Sequence, residues 1–289
     1  MGLRDRLEQT GKRFYCICFT LRSGSTLLCE DLAQWSLGTP TESFQLPRHG
    51  QEGESLADHV VETVAASPGP YFGFKATWEQ AFILAERLRA EGEADASLDL
   101  RSIFPDLRSA HMVRRDKVAQ AISIWRAVES GAWHWPVGQE VDKGTPPYDF
   151  EAIRAYLVHI VAEEWLWNNH FARLGVPHVQ LDYETYVGHR AKSLRSLAGS
   201  LGLKPVRAPL VDRLNVMRDE WTEEITARVW ADLYCVPEPV RLVHIAPGAA
   251  GGPAEPPPPD GVATEPVDPG AEGYFLSALG PAEADRTAG

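Results

Sequence analysis

The sequence predicts an α/β fold with a mostly parallel central sheet flanked by helices, and three observations carry that prediction. Residues 14–19 form an unbroken apolar run of strand length. The segment after it places Leu28, Leu32 and Trp35 on one helical face. The same order, strand then helix, recurs along the chain, which argues for parallel strands covered on both faces.

Each element has its own reason. The first strand (14–19) leads into a helix expected over 26–36, and 37–70 is rich in turn formers and is expected to carry binding groups. A second strand is expected at 71–76, followed by a helix through Arg89 with Phe82, Ile83, Ala85 and Leu88 as its apolar positions. Residues 109–113 make the third strand. Asp116 then caps a helix marked by Val118, Ile122, Trp125 and Val128. A longer helix is read over 149–174, with Ile153, Tyr156, Leu157, Ile160 and Trp167 as its stripe. Gly175 and Pro177 stop it before a strand at 178–182. Helices near 190–201 and 219–234 complete one domain over 1–245. The Pro/Gly-rich remainder, 246–289, reads as a disordered or extended tail whose one apolar island is GYFLSALG.

Composition narrows the partners. A formal charge of -12, from 28 basic and 40 acidic residues, disfavours nonspecific binding to nucleic acid or an anionic membrane. Any anionic ligand must then be held by a local cluster of donors. The charged opening segment does not read as a secretion signal, and no apolar stretch approaches the ~20 residues that cross a bilayer. A cytoplasmic protein is expected. Cys16 and Cys18 alternate along a strand, Cys29 sits on the next helix and Cys235 lies far off, so buried thiols are expected, with neither disulfides nor a metal site.

The first strand-to-helix turn reads RSGST. Amides at a helix start lack intrahelical acceptors and sit in positive potential, so this turn can wrap an oxyanion. Gly24 permits close approach, Ser23, Ser25 and Thr26 add hydroxyls, and Arg22 adds a charge. An ordinary helix cap explains the same letters. The pattern is not G-x-x-x-x-G-K-[ST], because its spacing is short and no lysine precedes the last Ser or Thr. After the third strand, Arg114 and Arg115 lead into a helix carrying Ser123, about 10 Å along from Asp116. An arginine there and that hydroxyl can share a phosphate. A solvated arginine pair and an incidental serine are the plainer account.

RSGSTLL followed by RRDKVAQAISIWRA resembles the paired signature of sulfotransferases. The segments RSGSTLLCEDL, GTPTESFQ, FGFKATWEQ, VAQAISIWRAVESGAWH and NVMRDEW are similar to the bacterial trehalose 2-sulfotransferase family. That resemblance implies a P-loop-like sulfotransferase fold and 3'-phosphoadenosine 5'-phosphosulfate (PAPS) as sulfuryl donor. It implies no metal, a small-molecule hydroxyl acceptor and a homodimer. Arg22, Ser23, Gly24, Ser25 and Thr26 would hold the donor's 5' end, Arg114 and Ser123 its 3'-phosphate, and Arg218 would close over the nucleotide.

By the same resemblance Glu42 is the general base, with His49, His59 and His134 as fallbacks outside any matching motif. Lys75 is expected near the transferring group, against the reading of a strand-end lysine in solvent. Arg126 either braces the nucleotide loop or is exposed. Trp78, Trp133 and Trp135 offer faces for an acceptor, while Trp125 belongs to a core. Two rival functions remain: a nucleotide-dependent small-molecule kinase, which needs a loop lysine and a magnesium-binding acid, and a non-catalytic nucleotide-binding module of the same fold.

Overall fold

The structure is a computed structural model that describes residues 1–45, 55–215 and 217–234. Four strands, β1 (Arg13–Phe19), β2 (Tyr71–Ala76), β3 (Arg108–Val113) and β4 (His178–Asp182), form one sheet in the order β2-β1-β3-β4. Every pairing is parallel. The strand order reverses between β1 and β3, and in open α/β sheets the crevice beyond the carboxyl ends of such a pair is where ligands bind.

β1 shows why its sequence is apolar throughout. Side chains alternate across a strand, so Phe14, Cys16 and Cys18 enter one core while Tyr15, Ile17 and Phe19 enter the other. On the first face pack α1 (Leu3–Gln9), α3 (Leu56–Ala66), α4 (Trp78–Ala90), α5 (Leu100–Ile103) and the end of α7 (Phe150–Leu174). The second face is covered by α2 (Ser25–Gln34), α8 (Tyr183–Gly188) and α9 (Arg190–Ser200). A third cluster joins α6 (Lys117–Ser130) to α7 and α10 (Glu220–Tyr234) through Ile122, Trp125, Ile153, Ile160, Ile225 and Val229.

Local chemistry sets the helix ends. Asp116 caps α6 by accepting from the Ala119 amide at 2.9 Å, and Gly175 ends α7 in the left-handed region at φ 57°. α2 is tied to the α8–α9 corner by Asp31, which is fully buried and accepts from Tyr186 Oη at 2.5 Å and Arg190 Nε at 2.9 Å. That anchorage ties the second half of α2 to its neighbours on the same face of the sheet.

Several expectations shift. Phe82 is exposed, and α4 instead buries Ala81, Leu84, Ala85 and Leu88, one step round the helix. Val128 likewise faces outward. Within 37–70, residues 56–66 form a helix, started by Ser55 accepting from the Asp58 amide. Cys16, Cys18 and Cys29 are buried free thiols, as their positions on apolar elements require. Cys235, His49 and the region from 246 onward lie outside the described residues. Among the described residues no helix is long and apolar enough to cross a membrane.

Candidate active site

A cleft of about 1160 Å³ opens at the carboxyl ends of β1 and β3, at the reversal point of the sheet. Arg22, Gly24, Ser25, Thr26, Glu42, Lys75, Arg114, Ser123 and Arg218 all line it. Ser23 does not; it is fully buried, its amide donates to Thr20 O at 3.2 Å, and its Oγ has no hydrogen-bond partner among the described residues.

The β1–α2 turn is shaped for close approach. Gly24 sits at φ 92°, and a Cβ there would lie 2.3 Å from Tyr183 Cδ2. Glycine is therefore required by conformation and by space. Arg22 also has positive φ, 60°, a conformation costly for a side-chain-bearing residue. Leu28 N donates to Gly24 O at 3.2 Å as the first intrahelical bond, so the amides of Ser25, Thr26 and Leu27, three residues that line the cleft, precede the ladder.

Two cations from different strand ends meet here. Arg22 Nε donates to Ser123 Oγ at 2.9 Å, its Nη1 to the Trp133 carbonyl, and Arg114 Nη1 donates to the Arg22 carbonyl at 3.3 Å. Arg114 also lies 5.2 Å from the Tyr183 ring centroid, and its buried Nε has no partner among the described residues. Burial first, and the Arg114 charge second, push the Arg22 guanidinium down to about 10. It remains fully charged at neutrality. Two desolvated guanidinium groups this close favour an anion between them.

Arg115 turns away. It is exposed and paired with Asp182 at 3.1 Å and Glu184 at 3.6 Å, so its charge is already matched on the surface.

Glu42 and Lys75 form the second group. Lys75 Nζ is 3.0 Å from Glu42 Oε1 and donates to Thr26 Oγ1 at 3.2 Å. Gln80 Nε2 donates to the other oxygen, Glu42 Oε2, at 2.8 Å. The carboxylate is thus oriented from both sides. Its loop is docked on the sheet edge, where Lys75 N donates to Thr41 O at 2.8 Å. Lys75 does not reach into solvent; its side chain is only 10% exposed and contacts the Phe19 ring.

Of the fallback bases, His59 is exposed on α3, while His134 lines the cleft with its pKa lowered by burial and then by Arg22 and Lys75. Trp133 and Trp135 line the cleft. Trp78 packs edge-on against Trp167, and Trp125 is buried and stacked on Trp221.

Arg126 is 5% exposed, so the exposed reading of it fails. It donates to Gly144 O at 2.7 Å and to Asp219 Oδ1 at 2.9 Å, and lies 4.3 Å from the Trp221 ring centroid. Lys143 Nζ adds a second contact to Asp219 at 2.7 Å. Burial alone would raise the Asp219 pKa, but bonds from Arg126, Lys143 and Thr222 bring it well below the usual carboxylate range. The brace fixes the backbone beside Arg218, whose own side chain is 58% exposed and 3.8 Å from Glu223.

Sequence reasoning missed Gln80, Tyr183 and Gln120. The first had a signal: Thr77-x-x-Gln80 is a capping box, and both of its bonds form. Gln120 Nε2 holds the turn from behind, donating to Thr20 Oγ1 at 2.8 Å and Leu21 O at 2.7 Å. Neither Tyr183 nor Gln120 stands out in sequence, because their roles depend on two strand ends lying side by side.

The profile of the family described as Stf0 sulphotransferase matches residues 50–234. The trehalose 2-sulfotransferase of Mycobacterium tuberculosis (Erdman) is 28% identical over 256 residues, covering 74% of this chain and 95% of that protein. That of Mycolicibacterium smegmatis is 28% identical over 250 residues, covering 72% and 92%. A sulfotransferase structure from Alicyclobacillus acidocaldarius superposes with a TM-score of 0.42 at 17% identity, covering 77% of this chain and 93% of that one.

Proposed function

Since the chain belongs to the Stf0 sulphotransferase family and is a sulfotransferase-family enzyme, we propose that it moves a sulfuryl group from PAPS to a hydroxyl of a carbohydrate, glycolipid or other small metabolite. The observation that carries this reading is the convergence of Arg22, Arg114 and Ser123, from two strand ends, on one cleft that also holds the Glu42–Lys75 pair. A donor set of two guanidinium groups, hydroxyls and free helix amides fits a doubly anionic nucleotide. The names of the two mycobacterial relatives support a carbohydrate acceptor.

In the proposed reaction Glu42 takes the acceptor's proton as the acceptor oxygen bonds to sulfur and the bond from sulfur to the bridging phosphate oxygen breaks. Lys75, between Glu42 and Thr26, offsets charge on the sulfuryl oxygens. Arg22 and the amides of Ser25 and Thr26 stabilise the departing 5'-phosphate. Arg114 and Ser123 hold the 3'-phosphate, and Arg218 covers the nucleotide. The family resemblance also supports a homodimer, which sedimentation would test.

Calorimetry with 3'-phosphoadenosine 5'-phosphate tests the donor assignment. Wild type should bind it, Arg114→Ala and Ser123→Ala should weaken binding about tenfold or more, and Arg115→Ala should change it less than about twofold. Absence of binding, or indifference to Arg114→Ala and Ser123→Ala, sinks the donor assignment. Glu42→Gln should keep nucleotide affinity while losing most turnover; retained turnover removes Glu42 as the base.

A further inference from the structure

Besides Glu42, the carboxyl groups of Glu79, Glu163 and Asp212 line the cleft, and none of them has a part in the proposed reaction. Glu163 of α7 lies there with His159, one turn earlier on the same helix, beside Gln80 and Ile83 of α4. Glu163 is 6% exposed, and its carboxyl accepts from the backbone amides of Glu79 and Trp78 in the first turn of α4. Yet its Oε2 has no hydrogen-bond partner among the described residues. His159 Nε2 stands 3.7 Å from that oxygen, beyond hydrogen-bond reach.

Burial pushes the Glu163 carboxyl up to about 8, with the two backbone amides opposing and the charges of Glu79 and Glu164 adding. At neutral pH it is therefore mostly an uncharged acid with an O–H to give. Burial likewise lowers the pKa of His159, against a contrary pull from Glu79, which favours the uncharged ring. The lysine of α6, Lys117, is engaged by Glu164. The pair thus offers a donor and an acceptor without net charge, which suits a hydroxyl better than a phosphate or an amine.

We propose that His159 and Glu163 form the far end of the acceptor subsite, binding a hydroxyl of a polyhydroxylated acceptor other than the one presented to Glu42. This rests on the sulfotransferase reading for the position of the reacting end. The first turn of α4 joins the two ends, since Gln80 Nε2 holds Glu42 while the neighbouring amides hold Glu163. The spacing between the gripped and the reacting hydroxyl is then set by one helix start, and with it the choice of which hydroxyl is sulfated.

The test is calorimetry of trehalose, maltose and myo-inositol, each titrated into protein saturated with 3'-phosphoadenosine 5'-phosphate. At least one should bind wild type, and should weaken about five- to tenfold in Glu163→Ala and in His159→Ala, with nucleotide affinity changed less than about twofold. Glu163→Gln, which keeps the contacts to α4, should fall between. His159→Ala guards against a folding defect, because its side chain is 31% exposed. If none of the three polyols binds, if the variants bind them as wild type does, or if polyol and nucleotide binding fall together, the subsite is overturned. Failure of wild type to bind the nucleotide instead strikes the donor reading, and the polyols are then titrated into the bare protein under the same criteria.

Discussion

Replacing Gly24 with alanine should disturb both strand-end arginines through one ring. The new Cβ would lie 2.3 Å from Tyr183 Cδ2 and 2.7 Å from Cε2, where carbon atoms ordinarily stay about 3.5 Å or more apart. The ring must therefore move by about 1 Å, and that ring lies against Arg114. The backbone at φ 92° adds about 1–3 kcal/mol of strain for any residue with a Cβ, and the overpacking about as much again. A loss of about 2–6 kcal/mol corresponds to a thermal midpoint lower by roughly 4–15 °C in a chain of this size. Affinity for 3'-phosphoadenosine 5'-phosphate should fall about tenfold. A double-mutant cycle with Tyr183→Ala isolates the steric part, because removing the ring makes room for the methyl group. A midpoint within about 1 °C of wild type, or strictly additive effects in the cycle, would refute the reasoning.

Three further outcomes follow from the same geometry. Arg126→Ala should cost about 2–3 kcal/mol in denaturant unfolding and weaken nucleotide binding several-fold, because Gly144 and Asp219 lose their common partner beside Arg218. Lys75→Met should lower turnover about tenfold or more in a sulfuryl-transfer assay while leaving nucleotide affinity nearly unchanged. Glu163→Gln should flatten the dependence of stability on pH. The native carboxyl holds its proton up to about 8 against 4.5 for the ordinary group, so its contribution is full below about 4.5 and is lost as pH rises through about 8. In urea melts the variant should gain a few kcal/mol on wild type between about pH 5 and pH 9; parallel curves would remove Glu163 as a buried acid.

Much of this fold was legible in one dimension. The strand at 71–76 and the Asp116 cap are written in local composition, and the structure repeats them. The faces of α4 and α6 were less legible: Phe82 and Val128 are apolar yet exposed, because hydrophobic periodicity identifies a helix better than it fixes the rotation at which neighbours meet it. α1 was hidden by its charge, since only Leu3 and Leu7 are buried. In the cleft, arginines and hydroxyls beside helix starts could be read as anion donors from their type. The Tyr183–Gly24 contact, the Gln80–Glu42 bond and the unpartnered oxygen of Glu163 could not, because each depends on how elements distant in sequence pack together.

Arg22, in the turn that follows β1, donates to Ser123, in the helix that follows β3, and the two strands behind them pair from Tyr15 with Arg108 through Phe19 with Met112. The span between the two proposed phosphate grips is therefore measured by a backbone ladder and not by the reach of flexible side chains. A sheet register acts here as a ruler. On the proposed reading, a nucleotide lacking its 3'-phosphate would engage one end of the ruler and leave the charge at Arg114 unanswered, so discrimination against ATP would be built into the pairing of β1 with β3 before any side chain moves.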